Sequence, residues 1–418
     1  MTVSRKGVGI PRLQELEFVG LGVEGVVAGL TYDEIRASLY DHMRYTRRRN
    51  APSGNHAGTR GAQDPATRYV HNATEALTEA MRLGFVERAP LPSSKKAAAG
   101  YGGTRFVATP EGREWAARVA EDATGAYTDL LSRLWSLHPQ LAGYLELLAK
   151  GPFVIPAANW REVHERPVHA GQEETSRRTY LDFLAARCGR AIAAGATGWE
   201  ATEQEVAAAI DQYIDARVAF AGRRSRPHPY PRHSDFVNAC EEAVVSFAFT
   251  QAGMALDYIS LEILRRWTKT LGVANFSYHV PEAPALRLWA TADVQLSPDF
   301  RVQRRSVDDY YDAVLAELPH SYERARRHYQ GSSFVPVHAV RAAVCFRLGL
   351  NDTVFNNAIR QLLSTERAAE LGYRINLDRA QFGALPPTEL PLTVPDRSGR
   401  DQTYSVMTLV TRNERTPA

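Results

Sequence analysis

"LGFVERAPLPSSKKAAAGYGGTRFVATPEG", residues 83–112, decides how the first part of this chain is read. Leu83-Gly84 has the form of a helix stop, because glycine accepts the left-handed backbone that ends many helices. Phe85-Val86-Glu87-Arg88 and Thr104-Arg105-Phe106-Val107-Ala108 are short strand candidates. Between them runs a bendable loop of small residues that carries Lys95, Lys96 and Tyr101. Thr109 is then a predicted N-cap, with Pro110 at the first helical position, where a missing N–H is harmless.

Upstream, Thr31 and Glu34 form an S/T-x-x-E capping box, flanked by Leu30 and Ile35 at the staple positions. Ile35, Leu39 and Met43 mark the buried face of the helix that follows. Before it, LQELEFVGLGVEGVVAG (13–29) is apolar and glycine-rich; helix and strand compete there, and it is read as a helix. PATRYVHNATEALTEAMRL (65–83) has Val70, Ala73, Leu77 and Met81 on one stripe. The stretch 45–64, YTRRRNAPSGNHAGTRGAQD, holds little to bury and has the composition of a mobile, basic insertion.

Helix, helix, strand, basic loop, strand, helix over residues 12–122 resembles the winged helix-turn-helix family. The features that carry the resemblance are the LGFV ending of the second helix, the glycine-bearing wing and the T-P-E-G restart. The insertion departs from the family's turn of about 3–4 residues. The resemblance implies a hairpin lying along DNA and a recognition helix whose first turns, with Arg68, His71 and Asn72, reach base edges. Surface histidine is the competing reading for His71, and local backbone contact for Asn72. Arg44, Arg47, Arg48, Arg49, Arg60, Lys95, Lys96, Tyr101 and Arg105 would face the duplex, mainly its phosphates.

The C-terminal part repeats this architecture. Residues 337–348 read as a helix, "GLND" as a turn capped by Asn351 or Asp352, 353–363 as a second helix, and 370–375 with 402–410 as strands. This is a second winged-helix resemblance, exposing Asn356, Asn357 and Arg360, either to bases or to a protein partner.

Between the two, residues 124–150 read as an amphipathic helix broken at His138-Pro139, GPFVIPAANW (151–160) as a linker, and Thr202 with Glu205 as another capping box. Residues 236–267 read as an apolar helix broken near Gly253, and 285–296 as an alternating strand pairing with 279–280. Residues 306–329 read as a helical hairpin with Val314, Leu315 and Leu318 inward.

Fifty lysines and arginines against 47 acids leave a net charge of +3, so any partner argument must be local. Cys188, Cys240 and Cys345 are widely spaced and read as reduced thiols. No signal peptide or membrane span is read, and a cytoplasmic location is expected.

Phosphate-loop, HExxH and GxSxG motifs are absent, and no GxGxxG follows a strand. His164, Glu165, His169 and Glu173 read as a polar loop around Pro167, and Glu282, Asp293 and Asp299 lack the lysine of a nuclease site. No enzyme activity, cofactor or metal is therefore expected.

The expected fold is mainly α with small β-hairpins: two winged-helix modules, 1–123 (with the basic insertion 45–64) and 306–418, flanking a helical middle domain, 124–305, with a small β element. The expected function is binding of double-stranded DNA, as a transcriptional regulator or as the DNA-targeting subunit of a larger bacterial assembly such as a defence system. The middle domain or second module would serve homodimerisation or a protein partner. The alternatives are a nucleic-acid-processing enzyme with a divergent nuclease middle domain, and a protein-interaction scaffold.

Overall fold

The computed structural model describes residues 10, 11, 13, 15–50, 65–89, 104–156, 202–223, 233–281, 285–291, 294–295, 301–302, 307–364, 372–379, 392–395 and 400–411. The chain is mainly helical with small antiparallel sheets, and it divides into two compact units. One unit holds residues 1–143, 262–271 and 383–390; the other holds the remainder. Among the described residues no helix is long and apolar enough to cross a membrane.

The first unit begins with α1 (Glu17–Val27), α2 (Tyr32–Asn50) and α3 (Pro65–Arg82). The glycine-rich stretch does form a helix, α1, with Phe18, Val19, Val23 and Val26 buried. Its glycines permit close packing: a Cβ on Gly25 would lie 2.8 Å from Ile35 of α2. The capping box forms as expected, the Thr31 N–H donating to Glu34 at 2.7 Å and the Glu34 N–H to Thr31 Oγ1 at 3.4 Å. The Thr31 N–H and hydroxyl, which both donate to the exposed Glu34 carboxyl, hold it below its usual range. A two-stranded hairpin, β1 (Val86–Arg88) and β2 (Phe106–Ala108), leads into α4 (Pro110–Glu121) and α5 (Ala123–Leu137). The break at His138 is observed, and α6 (Pro139–Ala149, whose residues from Tyr144 on belong to the second unit) restarts beyond it.

Residues 262–271 close this unit's core. Trp267 is fully buried, donates from Nε1 to the Leu13 carbonyl at 2.8 Å, and meets the His138 ring edge-on. His138 in turn bonds the fully buried Glu79 of α3 at 2.6 Å.

The second unit contains β3 (Phe153–Pro156), α7 (Glu203–Arg223), α8 (His233–Gln251), α9 (Tyr258–Thr270, whose last turns belong to the first unit), β4 (Ala274–Ser277) and β5 (Ala285–Ala290). The Thr202–Glu205 box caps α7, and Gly253, at φ 79°, separates α8 from α9 as read.

Two expectations fail here. Residues 153–156 are a strand rather than linker, and β5 pairs with β3 and β4, giving the order β3-β5-β4, rather than with residues 279–280. As the central strand, β5 buries Ala285 to Trp289 continuously, so it does not alternate. Two short strands, β6 (Val294–Gln295) and β7 (Arg301–Val302), pair with each other.

The rest of the unit is α10 (Val307–His328), β8 (Val335–Pro336), α11 (Val337–Leu348), α12 (Asp352–Ser364), β9 (Tyr373–Asp378), β10 (Leu392–Pro395), β11 (Asp401–Tyr404) and β12 (Val406–Thr411). The sheet order is β8-β12-β9, and β10-β11 form a separate hairpin. The expected helical hairpin at 306–329 is instead one helix, α10, with Val314, Leu315 and Leu318 buried as read.

Pro319 sits inside α10 because its defect is repaired from outside. Proline has no N–H to offer the Leu315 carbonyl four residues back. Tyr373 Oη of β9 donates to that carbonyl at 2.9 Å.

The turn before α12 is capped by Asn351, whose Oδ1 accepts from the Thr353 N–H at 2.9 Å. Beside it, Arg341 and Asp352 form a buried ion pair at 3.6 Å. Asn275 Nδ2 reaches Asp352 Oδ1 at 2.8 Å and the Leu350 carbonyl at 3.1 Å. Cys345 is a buried thiol outside any disulfide, its Sγ donating to the Asn351 carbonyl at 3.6 Å.

Candidate nucleic-acid interface

The root of the β1–β2 hairpin is fastened to three helices, and sequence accounts for each fastening. α3 buries Ala73, Ala76, Leu77 and Ala80 and ends in a Schellman turn. There the Phe85 N–H bonds the Ala80 carbonyl at 2.9 Å and Gly84, at φ 78°, bonds Met81 at 3.0 Å. Phe85 is thereby turned inward and stacks on Trp115 of α4 at 4.8 Å.

Thr109 ties the hairpin's second strand to the same place. Its N–H donates to the Phe85 carbonyl at 3.0 Å and its hydroxyl to the Gly84 carbonyl at 2.7 Å. The same oxygen accepts from the Gly112 N–H at 2.9 Å, capping α4. Gly112 lies flush on Phe85, where a Cβ would stand 2.0 Å from the carbonyl oxygen. No side chain fits there, which explains the fourth letter of Thr-Pro-Glu-Gly.

Arg133 of α5 completes the root. Its guanidinium lies 5.0 Å from the Phe85 ring centroid, donates to the Leu83 carbonyl at 3.2 Å and pairs with Glu111. The hydrogen bond from Arg133 holds the Glu111 carboxyl below its usual range and raises the guanidinium's pKa. Among the described hairpin residues, Glu87, Arg88, Arg105 and Val107 are exposed. Val86 pairs with Ala108 and Arg88 with Phe106, and the Ala89 N–H extends the ladder to the Arg105 carbonyl at 2.9 Å.

Arg44, Arg47, Arg48 and Arg49 fall on the last turns of α2, and Arg68 and His71 on the first turns of α3. Asn72 is half-buried on α3 and Arg105 is exposed just before β2. Arg60, Lys95, Lys96 and Tyr101 lie outside the described residues, as do His164, Glu165, His169, Glu173, Glu282, Asp293 and Asp299. No group of three or more His, Cys, Asp or Glu that could hold a metal ion occurs among the described residues.

On the C-terminal unit's α12, Asn356 and Asn357 are half-buried and Arg360 is exposed. Their groups are engaged internally. Asn356 Oδ1 accepts from the buried Arg341 at 3.4 Å, and Arg360 Nε donates to the Thr393 carbonyl of β10 at 2.6 Å.

Gly112 and Arg133 went unrecognised from sequence. The glycine was visible within the restart motif, but Arg133 lies 22 positions from Glu111 and no local pattern links the two. Comparison of the chain with protein-family models, curated proteins and solved structures finds no match.

Proposed function

We propose that the N-terminal unit binds duplex DNA as a winged helix-turn-helix, with no catalytic step of its own. In this reading α3 is the recognition helix, β1–β2 is the base of the wing, and the chain is a transcriptional regulator or the DNA-targeting subunit of a larger bacterial assembly. The observation that carries the reading is the rigid hairpin root. A segment rich in small residues and bearing Lys95 and Lys96 leaves at Ala89 and re-enters at Arg105, directly beyond the end of α3 and clamped to α4.

α2 packs on α3, and its last turns contribute further cation positions. Arg44, Arg47 and Arg48 share one helix face by their spacing, and Arg49 follows. Cations on a hairpin and an adjacent helix suit a phosphate backbone, and each phosphate neutralised steepens the salt dependence of binding.

The C-terminal unit is assigned a protein-contacting role, because the groups on α12 that would read bases are held by Arg341 and Thr393. The test is retention of the full chain on random duplex, single-stranded DNA and RNA at two salt concentrations. Salt-sensitive preference for duplex supports the reading; absence of duplex binding at low salt removes it. Metal-dependent cleavage of the retained duplex would contradict the non-enzymatic assignment.

A further inference from the structure

We propose that the groove between α10 and the end of α11 binds a small phosphorylated molecule, separately from any duplex. The groove is open to solvent on one side, has a volume of about 360 Å³ and is lined by Glu317, His320, Glu323, Arg324, Arg327 and Arg347. That volume suits a compact ligand, since small-molecule sites run from about 300 to 1,000 Å³. Residues 317, 320, 324 and 327 follow the three- and four-residue steps that put side chains on one helix face. The opposite face of α10 is fixed in the core by Val314, Leu318, Tyr322 and Ala325. Arg347 enters from the last turn of α11.

The charge balance of this lining favours an anion. Three guanidiniums face two carboxylates, one of which is matched by a cation outside the lining. Glu323 pairs at 3.2 Å with Arg326, which is not part of the lining, and Glu317 accepts from Ser321 Oγ at 2.8 Å. Arg327 and Arg347 have no ion-pair partner among the described residues. The C-terminal ends of both helices contribute about half a negative charge each, which together with Glu317 still leaves about one positive charge in excess. A concave wall concentrates the remaining positive field, and guanidinium forks match phosphate oxygens in pairs.

The carboxylates also argue against a duplex here, since they would repel a continuous phosphate backbone. They suit instead a ligand with a phosphate at one end and hydroxyl donors at the other, as in a sugar phosphate or nucleoside monophosphate.

The test is calorimetric titration of the full chain with ribose 5-phosphate, inorganic phosphate and ribose. The proposal expects saturable binding of ribose 5-phosphate, weaker binding of phosphate and none of ribose. R327A/R347A should weaken binding by about tenfold or more per arginine removed, as expected for hydrogen bonds to a charged group. Both positions are exposed, so the core is undisturbed, and R327K/R347K, which keeps the charge, should retain part of the affinity. Absence of saturable binding, or equal affinity in the double alanine variant, overturns the proposal. So does an equal loss of duplex affinity in that variant, which would make the groove a nucleic-acid surface.

Discussion

Gly112→Ala sets local preference against tertiary contact, and the structure decides the sign. Local preference favours alanine inside a helix by about 1 kcal/mol. Against this, the new Cβ would lie 2.0 Å from the Phe85 carbonyl oxygen, 2.8 Å from its carbon and 3.0 Å from Cα. Ordinary contact begins near 3.4 Å, so the two backbones must part by about 1.4 Å. Backbone cannot rotate aside as a side chain can, which puts the strain at the upper end of the 1–3 kcal/mol typical of overpacking.

Parting would also stretch the Thr109 bonds to Gly84 and Phe85, each contributing about 1 kcal/mol. The expected net loss is about 3 kcal/mol in the first unit. Gly22→Ala is the control: it lies inside α1 and its Cβ would meet Leu77 at 3.6 Å, an ordinary contact, so it should be neutral or stabilising. Urea unfolding with hydrogen exchange at residues 85–88 and 106–113 gives the local stability. Equal or greater protection in Gly112→Ala would refute the packing argument.

Thr109→Ala removes the α4 cap and should lower stability by about 1–2 kcal/mol in the same assay. Tyr373→Phe leaves the Leu315 carbonyl at Pro319 unpaired, and should cost about 1–3 kcal/mol in urea unfolding of the second unit. Burial, chiefly, pushes the phenols of Tyr127 and Tyr373 up to about 12 from an ordinary 10.0. Their neutral forms therefore contribute stability that is fully present below pH 10 and lost as pH rises through 12, measurable as a falling Tm across that window. Arg360→Ala should leave duplex affinity unchanged while raising exchange in β10, because its Nε bonds Thr393.

Features encoded within a few residues were readable. Both capping boxes, the breaks at His138 and Gly253, and the hairpin between Gly84 and Thr109 follow from side chains three or four positions apart or from one glycine or proline. Residues 153–156 were missed because what makes them a strand is β5, far along the chain. Residues 306–329 read as a hairpin but form one helix across Pro319, because the tyrosine that satisfies the Leu315 carbonyl comes from β9, far along the chain. At the candidate site, the hairpin and its cap were visible in Thr-Pro-Glu-Gly. The Arg133 clamp was not, since it exists only once α5 folds back over Phe85.

Hydrogen exchange of the full chain with and without a random duplex tests the central claim most directly. The account predicts protection concentrated at the end of α2, the first turns of α3 and the hairpin from Val86 to Ala108, lost with rising salt and reduced when Arg47, Arg48, Lys95 and Lys96 become alanine. Protection confined to α12 and β9–β12, or unchanged by those four substitutions, would contradict it.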